Sequence, residues 1–559
     1  MRRVNLFFKT LILILISLPA VAGGPIPFMF FPIRMGPPDP TSFLSFQDST
    51  TSIYLTWVSG GGTTTNFRIA YQTGNTAPSS CSTATMITSA TIAGATQYTV
   101  TGLTINTTYS FRLCAIDAAA PINESTGIGT TISTPTATPI YRSVGPANTL
   151  SLAAGGSNAL SVAGSIATFG TALATKIGVG DAIQYDTDAN AVEDKIVFIQ
   201  GRISSTKFLV KTAAGAVPTA VATTQSWKIF RSYTSLSDAM GGLENTGILL
   251  ALRDFDTGTW KGITATAQTR YFTCYADAAD TIATTVSGFT TSANNWVTIY
   301  TPYKTTEVGV SQRHSGIWTA SGYVLSNAVA NSDTLAIDNA YVQITGLQVK
   351  STANSSFATV ITYGSSVAIP AGTKSEISNN IIWHDYTTAT DTQGIYFFSS
   401  VNETPILYIV NNIIYSTLGT TLDAIVIDHG TAYVYNNTIY KVRDGINRIN
   451  AVGTGIVTAI NNIVQTCAVT CYNSTSNSWA AGTNYNISSS TSITTGANNK
   501  ISTTVTFVNA AGFDLHLGAG DTAAKDAGTN LSADPNYPVI NDIDMQSRTG
   551  AWDIGADSL

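Results

Sequence analysis

Four times in the second half of this 559-residue chain an Asn-Asn pair is followed at once by a short apolar run. The copies are Asn379-Asn380-Ile381-Ile382-Trp383, Asn411-Asn412-Ile413-Ile414-Tyr415, Asn436-Asn437-Thr438-Ile439-Tyr440 and Asn461-Asn462-Ile463-Val464-Gln465, spaced by 32, 25 and 25 residues. A period of this size with strand-like content predicts a solenoid, whose units bury their apolar faces only by stacking on their neighbours. Such a fold leaves a long exposed flank. A degenerate earlier copy runs from Tyr341 to Val349, and each unit holds a second strand candidate: Gly394–Phe397, Ala424–Ile427 and Gly445–Arg448.

The rest of the chain points the same way. Charged residues are only 11 %, against about 25 % in ordinary globular proteins, while hydrophobics reach 44 %. Short runs of Val, Ile, Thr and Tyr separated by Gly, Asn, Asp and Ser predict an all-β protein. A net charge of -6 without a cluster of Lys and Arg argues against a nucleic-acid partner.

Arg2, Arg3 and Lys9, the apolar stretch Leu11–Leu18 and Ala20-Val21-Ala22 read as a signal peptide spanning residues 1–22. No later stretch approaches the roughly 18 apolar residues of a spanning helix, so a secreted or cell-surface protein is expected. Residues 23–40 hold six prolines and read as a stiff linker. In an exported chain the five cysteines suggest disulfides: Cys81 with Cys114, and Cys467 with Cys471, leaving Cys274 as a buried thiol.

Residues 41–138 alternate apolar and polar with turn signals every few positions, the sign of a β-sandwich. Trp57, then Phe67, Ile69 and Tyr71, then Tyr98–Leu103 with Tyr109, Phe111 and Leu113 beyond, make the segment resemble a fibronectin type III domain. That resemblance implies a tyrosine corner at Tyr109. Ser133–Pro139 reads as a linker and residues 141–232 as a small β-rich domain. Within the latter, Asp186, Asp188, Asn190 and Asp194 place oxygens that can converge on Ca²⁺, the one cofactor the sequence suggests. Ala191 replaces the Gly of an EF-hand, so a polar hairpin loop is the other reading. Ser235 can cap a short helix with Leu236, Met240 and Leu243 on one face, suited to covering the open end of a solenoid.

The Asn-Asn units resemble the right-handed parallel β-helix of pectate lyases and related surface proteins. The resemblance implies a single-stranded solenoid over residues 233–512, in which Asn380, Asn412, Asn437 and Asn462 stack and bond the backbone of the next coil. Asp514-Leu515-His516-Leu517, Asp526-Ala527-Gly528, Asp542-Ile543-Asp544, Arg548 and Asp553-Ile554-Gly555-Ala556 resemble the closing segment of secreted bacterial β-helix proteins, which assigns residues 513–559 a capping role.

If Asn380 and Ile382 point inward, Trp383, Tyr415, Tyr440 and Gln465 form one outward column with neighbours about 4.8 Å apart. Three aromatic side chains in a ladder can stack on sugar rings, or can simply stabilise the sheet. His384 and Asp385, followed by Tyr386 and Thr387, fall two coils from Lys441, Arg443 and Asp444, about 10 Å away. Lys441 or Arg443 would serve as the base of a polysaccharide lyase only with a depressed pKa; solvated turn charges are the other reading. Asp428 and His429 stand on a neighbouring strand. No convergent carboxylates of a glycosidase and no nucleophile motif are found. Two functions are compatible with this pattern: a non-catalytic surface or adhesion protein whose flank meets polysaccharide or cell-surface glycan, and, alternatively, a polysaccharide lyase or glycoside hydrolase.

Overall fold

The computed structural model describes residues 36–353, 358–385, 392–398, 404–449, 456–474, 479–491, 493 and 495–559. The expected signal peptide, residues 23–35 of the expected linker, Tyr386 and Thr387 lie outside the described residues. The molecule is almost entirely β-structure.

The N-terminal sandwich packs the sheet of Thr41–Ser49, Ser52–Val58 and Gln97–Val100 on the sheet of Thr85–Ile87, Asn66–Thr73, Thr108–Ile116 and Ile128–Ser133. Trp57 is buried between Phe43 and Phe67, each ring meeting it edge-on. The hydroxyl of Tyr109 accepts a hydrogen bond from the backbone N–H of Thr104 at 2.9 Å, closing the expected tyrosine corner. Cys81 and Cys114 are joined.

The solenoid begins earlier than the sequence suggests. Thr138–Val144 is its first strand, parallel to Gln268–Cys274 with Tyr141 opposite Tyr271. Thr138 and Pro139 therefore belong to a strand, and the small β-rich domain is an insertion between the first two strands of one sheet. That domain is an eight-stranded antiparallel sheet around Trp227, Phe169 and Phe208. Buried ion pairs lie at its junction with the solenoid. Asp256 accepts hydrogen bonds from Arg142 at 2.8 Å, Arg270 at 2.9 Å and the Tyr233 hydroxyl at 2.7 Å. Arg231 reaches Asp181 and Asp277, both at 2.8 Å.

The chain re-enters the solenoid through helix Leu236–Gly241, capped by the Ser235 hydroxyl, which accepts from the Asp238 N–H. Leu236 and Met240 lie in the solenoid core, so the helix closes its end as expected. Leu243 does not share that face: Gly242 takes the left-handed conformation and stops the helix, leaving Leu243 exposed.

Each full coil crosses three parallel sheets, where only two strands per unit were expected. The first sheet stacks Thr138–Val144, Gln268–Cys274, Val297–Tyr300, Val342–Thr345, Lys374–Ser378, Ile406–Val410, Thr431–Tyr435 and Ile456–Ile460. The second runs through Val324–Asn327, Gln348–Ser351, Ile381–His384 and Ile413–Ser416, and the third through Thr284–Val286, Leu335–Ile337, Thr359–Tyr363, Thr392–Phe397 and Leu422–Ile427. The long strands Thr438–Arg448 and Ile463–Ser474 bridge the second and third. This is a parallel β-helix, with a bore filled by inward residues such as Ile377, Ile382 and Ile395 of a single coil.

The Asn pairs make the turn from the first sheet to the second. Asn379, Asn411, Asn436 and Asn461 sit at φ of 54°, 53°, 53° and 57°, a left-handed conformation that Asn tolerates better than other side chains. The second Asn of each pair is fully buried. Its amide donates to the next Asn in the column, from Asn380 to Asn412 at 3.1 Å, then to Asn437 and Asn462 at 3.0 Å each. The backbone bonds run to the preceding coil rather than the next: Asn412 accepts from the Asn380 N–H and donates to the Ile377 carbonyl. Asn486 and Asn499 extend the ladder, and Trp479 and Ile493 enter the core beside them. The far end is thus closed by residues around 479–500.

Residues 505–559 do not cap that end. They run back along the outside of the second sheet and over the Asn turns onto the first, as a strap. Asn411 and Asn461, whose side chains point outward, hold it by donating at 2.8 Å to the carbonyls of Asn541 and Thr529. Val505, Leu515, Leu517, Ile543 and Ile554 pack on Ile381, Ile413 and Ile463. Within the strap His516 donates to Asp544 at 3.1 Å and to Asp514 at 2.6 Å. The bond to Asp544, partly opposed by burial and reinforced by Asp514, raises its pKa to about 9. A raised His contributes stability that is complete below its unfolded pKa of about 6.5 and is lost as pH rises through the folded value. Proteolysis within 505–559 is therefore expected to accelerate between pH 6.5 and 9, and His516→Gln should flatten that profile; identical profiles would contradict this role.

Candidate binding groove

The register of the aromatic ladder is as expected, with Trp383 opposite Tyr415 and Tyr415 opposite Tyr440, followed by Gln465. Its exposure is not. Tyr415 is 1 % exposed and stacks on Phe513 of the strap at 4.4 Å, Tyr440 meets Phe507 edge-on, and Trp383 meets Trp318 at 5.0 Å. The strap lies over Tyr415 and against Tyr440, and Trp318 covers part of Trp383, so that Trp383 and Tyr440 are half-buried and no sugar can reach Tyr415.

The residues considered for lyase chemistry fall into separate groups. Lys350 pairs with Asp385 at 2.7 Å and sits 3.8 Å above the Trp383 ring, while Thr417 also donates to Asp385. His384 is fully buried, and desolvation drives its pKa down to about 4. Arg443 is bound to Asp423 through two nitrogens, and Asp444 accepts from the Thr470 N–H at 2.9 Å. Desolvation, against the opposing pull of Arg443, raises Asp423 to about 6. Lys441, at φ 55°, marks a bend within the strand Thr438–Arg448, with its amine 5.8 Å from the Phe513 ring. Asp428 and His429 pair with each other at 3.4 Å. Arg443 also lies 3.4 Å from Asp444, so Asp423, Arg443 and Asp444 form one small cluster, whose members are held by one another, while Lys350 and Thr417 hold Asp385.

The proposed calcium loop folds on its own backbone. Asp186 accepts from the N–H groups of Asp188, Ala189 and Ala191, Asp188 from Asn190, and Asp194 from Thr187 and Lys195. Asp186, Asp188 and Asp194 do not converge as a group of three. Cys467 and Cys471 are joined and Cys274 is a buried free thiol, as the spacing suggested.

A hollow of about 370 Å³ lies beside the acidic loop, between Asp186–Ala191 and Val221–Ser226, and a longer concave feature lies on the first sheet. A groove of about 520 Å³ runs over it, continuous with a lobe of about 280 Å³ through Gln47, Tyr271, Thr298, Gln343 and Glu376. Its floor is one outward column, in which Tyr141, Tyr271, Thr298, Gln343 and Glu376 stand on successive coils. Tyr141 and Tyr271 are stacked 4.7 Å apart with planes 14° from parallel. Burial pushes the Tyr271 phenol up to about 12, so it remains a neutral donor at ordinary pH. One wall is the sandwich domain, through Phe46 and Gln47; the others are the loop around Tyr303–Arg313 and the strap at Tyr537–Asn541. Phe46 packs on Leu209 of the inserted domain and Lys211 pairs with Asp48 at 2.6 Å, which fixes the sandwich as that wall.

Both groove carboxylates have partners. Glu307 accepts from the N–H groups of Tyr303 and Lys304 at 3.1 Å each, and Glu376 accepts from the Ser378 hydroxyl. Aromatic faces beside amide and hydroxyl groups can stack on a sugar and bond its hydroxyls. A signal for this column lay in the repeat: Gln343, Glu376, Tyr408 and Tyr433 each stand three residues before the turn residue Gly346, Asn379, Asn411 or Asn436.

The fibronectin type III domain model matches residues 37–128. A solved structure titled "Computer-Based Redesign of a beta Sandwich Protein Suggests that Extensive Negative Design Is Not Required for De Novo beta Sheet Design" is similar at 24 % identity, covering 17 % of this chain and 93 % of that chain with a TM-score of 0.14. A comparison with curated proteins gives no match. The chain is thus an all-β protein carrying a fibronectin type III sandwich ahead of a parallel β-helix.

Proposed function

We propose that the protein is an exported, non-catalytic surface protein that holds a carbohydrate chain in the groove between its sandwich domain and the first sheet of its β-helix. The observation that carries this reading is the floor column, with the stacked Tyr141–Tyr271 pair leading into Thr298, Gln343 and Glu376. Secretion is supported by the residue pattern of positions 1–22 and by two disulfides, which persist in oxidising compartments. The flank first considered for this role is closed at Tyr415 and half-buried at Trp383 and Tyr440, so the groove is the better site. The lyase or hydrolase alternative, as part of the pectate-lyase-like resemblance, draws less support from the residues considered for it, since Arg443 is taken up by Asp423 and Asp444 and Asp385 by Lys350 and Thr417.

The test is a panel of acidic and neutral polysaccharides incubated with the mature chain, following both retention on intact polymer and loss of chain length. Retention without shortening is expected. Tyr271→Ala should weaken it about tenfold, the equivalent of about 1.4 kcal/mol, without lowering the thermal midpoint of the sandwich domain. Shortening of any polymer would overturn the non-catalytic reading.

A further inference from the structure

Arg313 stands in the groove wall with an unusual amount of structure arranged around it. Its guanidinium lies over the turn at Gly346, where a Cβ would come within 2.7 Å of Cζ and 2.8 Å of Nη1. The equivalent turn position is Asn379, Asn411, Asn436 or Asn461 in the later coils, and only here is it glycine, at φ 77°. The missing side chain is the space the guanidinium fills. Tyr303 flanks it from the other side, its ring centre 5.3 Å from Cζ.

What Arg313 lacks is an acceptor. Its hydrogen bond among the described residues is one long contact from Nη2 to the Asn379 carbonyl at 3.5 Å, at the limit of such bonds. Nε is buried without a partner. The groove carboxylates Glu307 and Glu376 accept from their own donors; Glu307 and Asp544 favour the charge of Arg313 electrostatically, but neither forms an ion pair with it. Burial depresses its pKa to about 10, which still leaves it charged at neutral pH. A half-buried guanidinium without an ion-pair partner is costly unless something pairs with it, and its planar fork matches a carboxylate or sulfate through two parallel bonds. Lys304, exposed on the same wall, adds a second cation whose amine lies 5.6 Å from the Tyr303 ring.

Resting on the glycan-binding reading, we propose that Arg313, supported by Lys304, is an anion subsite of the groove that takes a carboxylate or sulfate carried by the sugar chain. The alternative role for Arg313 is to fill the space over Gly346. The experiment compares three polymers on the mature chain: one sulfated, one bearing uronate without sulfate, and one neutral. One of the acidic polymers should bind about tenfold more tightly than the neutral one, with an affinity that falls as salt rises; whichever it is identifies the anion. Arg313→Gln should erase that tenfold preference and leave the neutral polymer unchanged, and Arg313→Lys should keep part of it. Equal loss on all three polymers, or none, in a variant with an unchanged thermal midpoint would assign Arg313 the filling role and overturn the subsite. Should Arg313→Gln not fold, the wild-type chain decides: equal affinity for acidic and neutral polymers overturns the subsite while leaving the groove a glycan site. Failure of all three to bind would overturn both readings.

Discussion

Asp256→Ala is expected to lower the stability of the protein by about 3–5 kcal/mol, the range found when one partner of a buried ion pair is removed. Asp256 is 1 % exposed and answers two guanidinium groups and a phenol. Arg142 comes from the first strand of the solenoid, Arg270 from the second, and Tyr233 from the point where the chain returns from the inserted domain. Removing the carboxylate leaves two buried cations facing each other, with Arg142 also wedged 3.8 Å over the Phe198 ring. The inserted domain and the first coil should therefore loosen together in a denaturant titration. The contrast is Glu124→Ala: Glu124 pairs with Arg68 at 2.7 Å, but their side chains are 20 % and 25 % exposed, so the loss should stay below about 1 kcal/mol. Similar midpoints for the two variants would contradict this account of the junction.

The second large effect is expected along the Asn ladder. Asn437 is fully buried; its oxygen accepts from the backbone and side-chain N–H groups of Asn412, and its amide donates to Ile409, Tyr435 and Asn462. Asn437→Ala leaves the Asn412 backbone N–H without that acceptor and takes one of the two acceptors from its amide. Each buried polar group left unsatisfied costs about 1–3 kcal/mol, and the change removes partners on both sides of the coil. A total of about 3 kcal/mol or more is expected, read as a lower denaturant midpoint and as faster amide exchange in the coils on either side. The neighbouring turn gives the control. Asn411 projects outward, holding the strap by a 2.8 Å bond to Asn541 and reaching Asn379 at 3.2 Å, and its φ is 53°, so Asn411→Gly, which keeps the left-handed turn without strain, should cost about 1 kcal/mol. An Asn437→Ala variant as stable as Asn411→Gly would mean that the ladder does not hold the coils in register.

How much of this was legible depends on the range of the interaction. The Asn pairs could be read because the constraint is local: a left-handed residue and then a buried amide recur in every coil, and period-two alternation sets the direction of each side chain after them. The same alternation placed Trp383, Tyr415 and Tyr440 correctly in one outward column. It could not say that the column is covered, because Phe507 and Phe513 come from a segment far along the chain whose docking leaves no periodic mark. The start of the solenoid was hidden for a similar reason. Thr138–Val144 reads as an ordinary strand, and only its partner 130 residues later makes it part of a parallel sheet. The acidic loop from Asp186 to Asp194 shows a third limit, since the spacing that suits a cation suits backbone N–H groups equally well. The groove floor had a signal in the residue three before each turn, but the apolar run after the Asn pairs drew the register toward the second sheet.

The central claim is that ligand is held on the first sheet and not on the strap-covered second. Hydrogen–deuterium exchange of the mature chain, with and without a saturating retained polysaccharide, tests it most directly. Slowed exchange at Gln268–Cys274, Val297–Tyr300 and Val342–Thr345 and in the loop Tyr303–Arg313, with no change at Ile381–His384 or Ile413–Ser416, is the predicted result. Slowed exchange confined to those last two strands would contradict it.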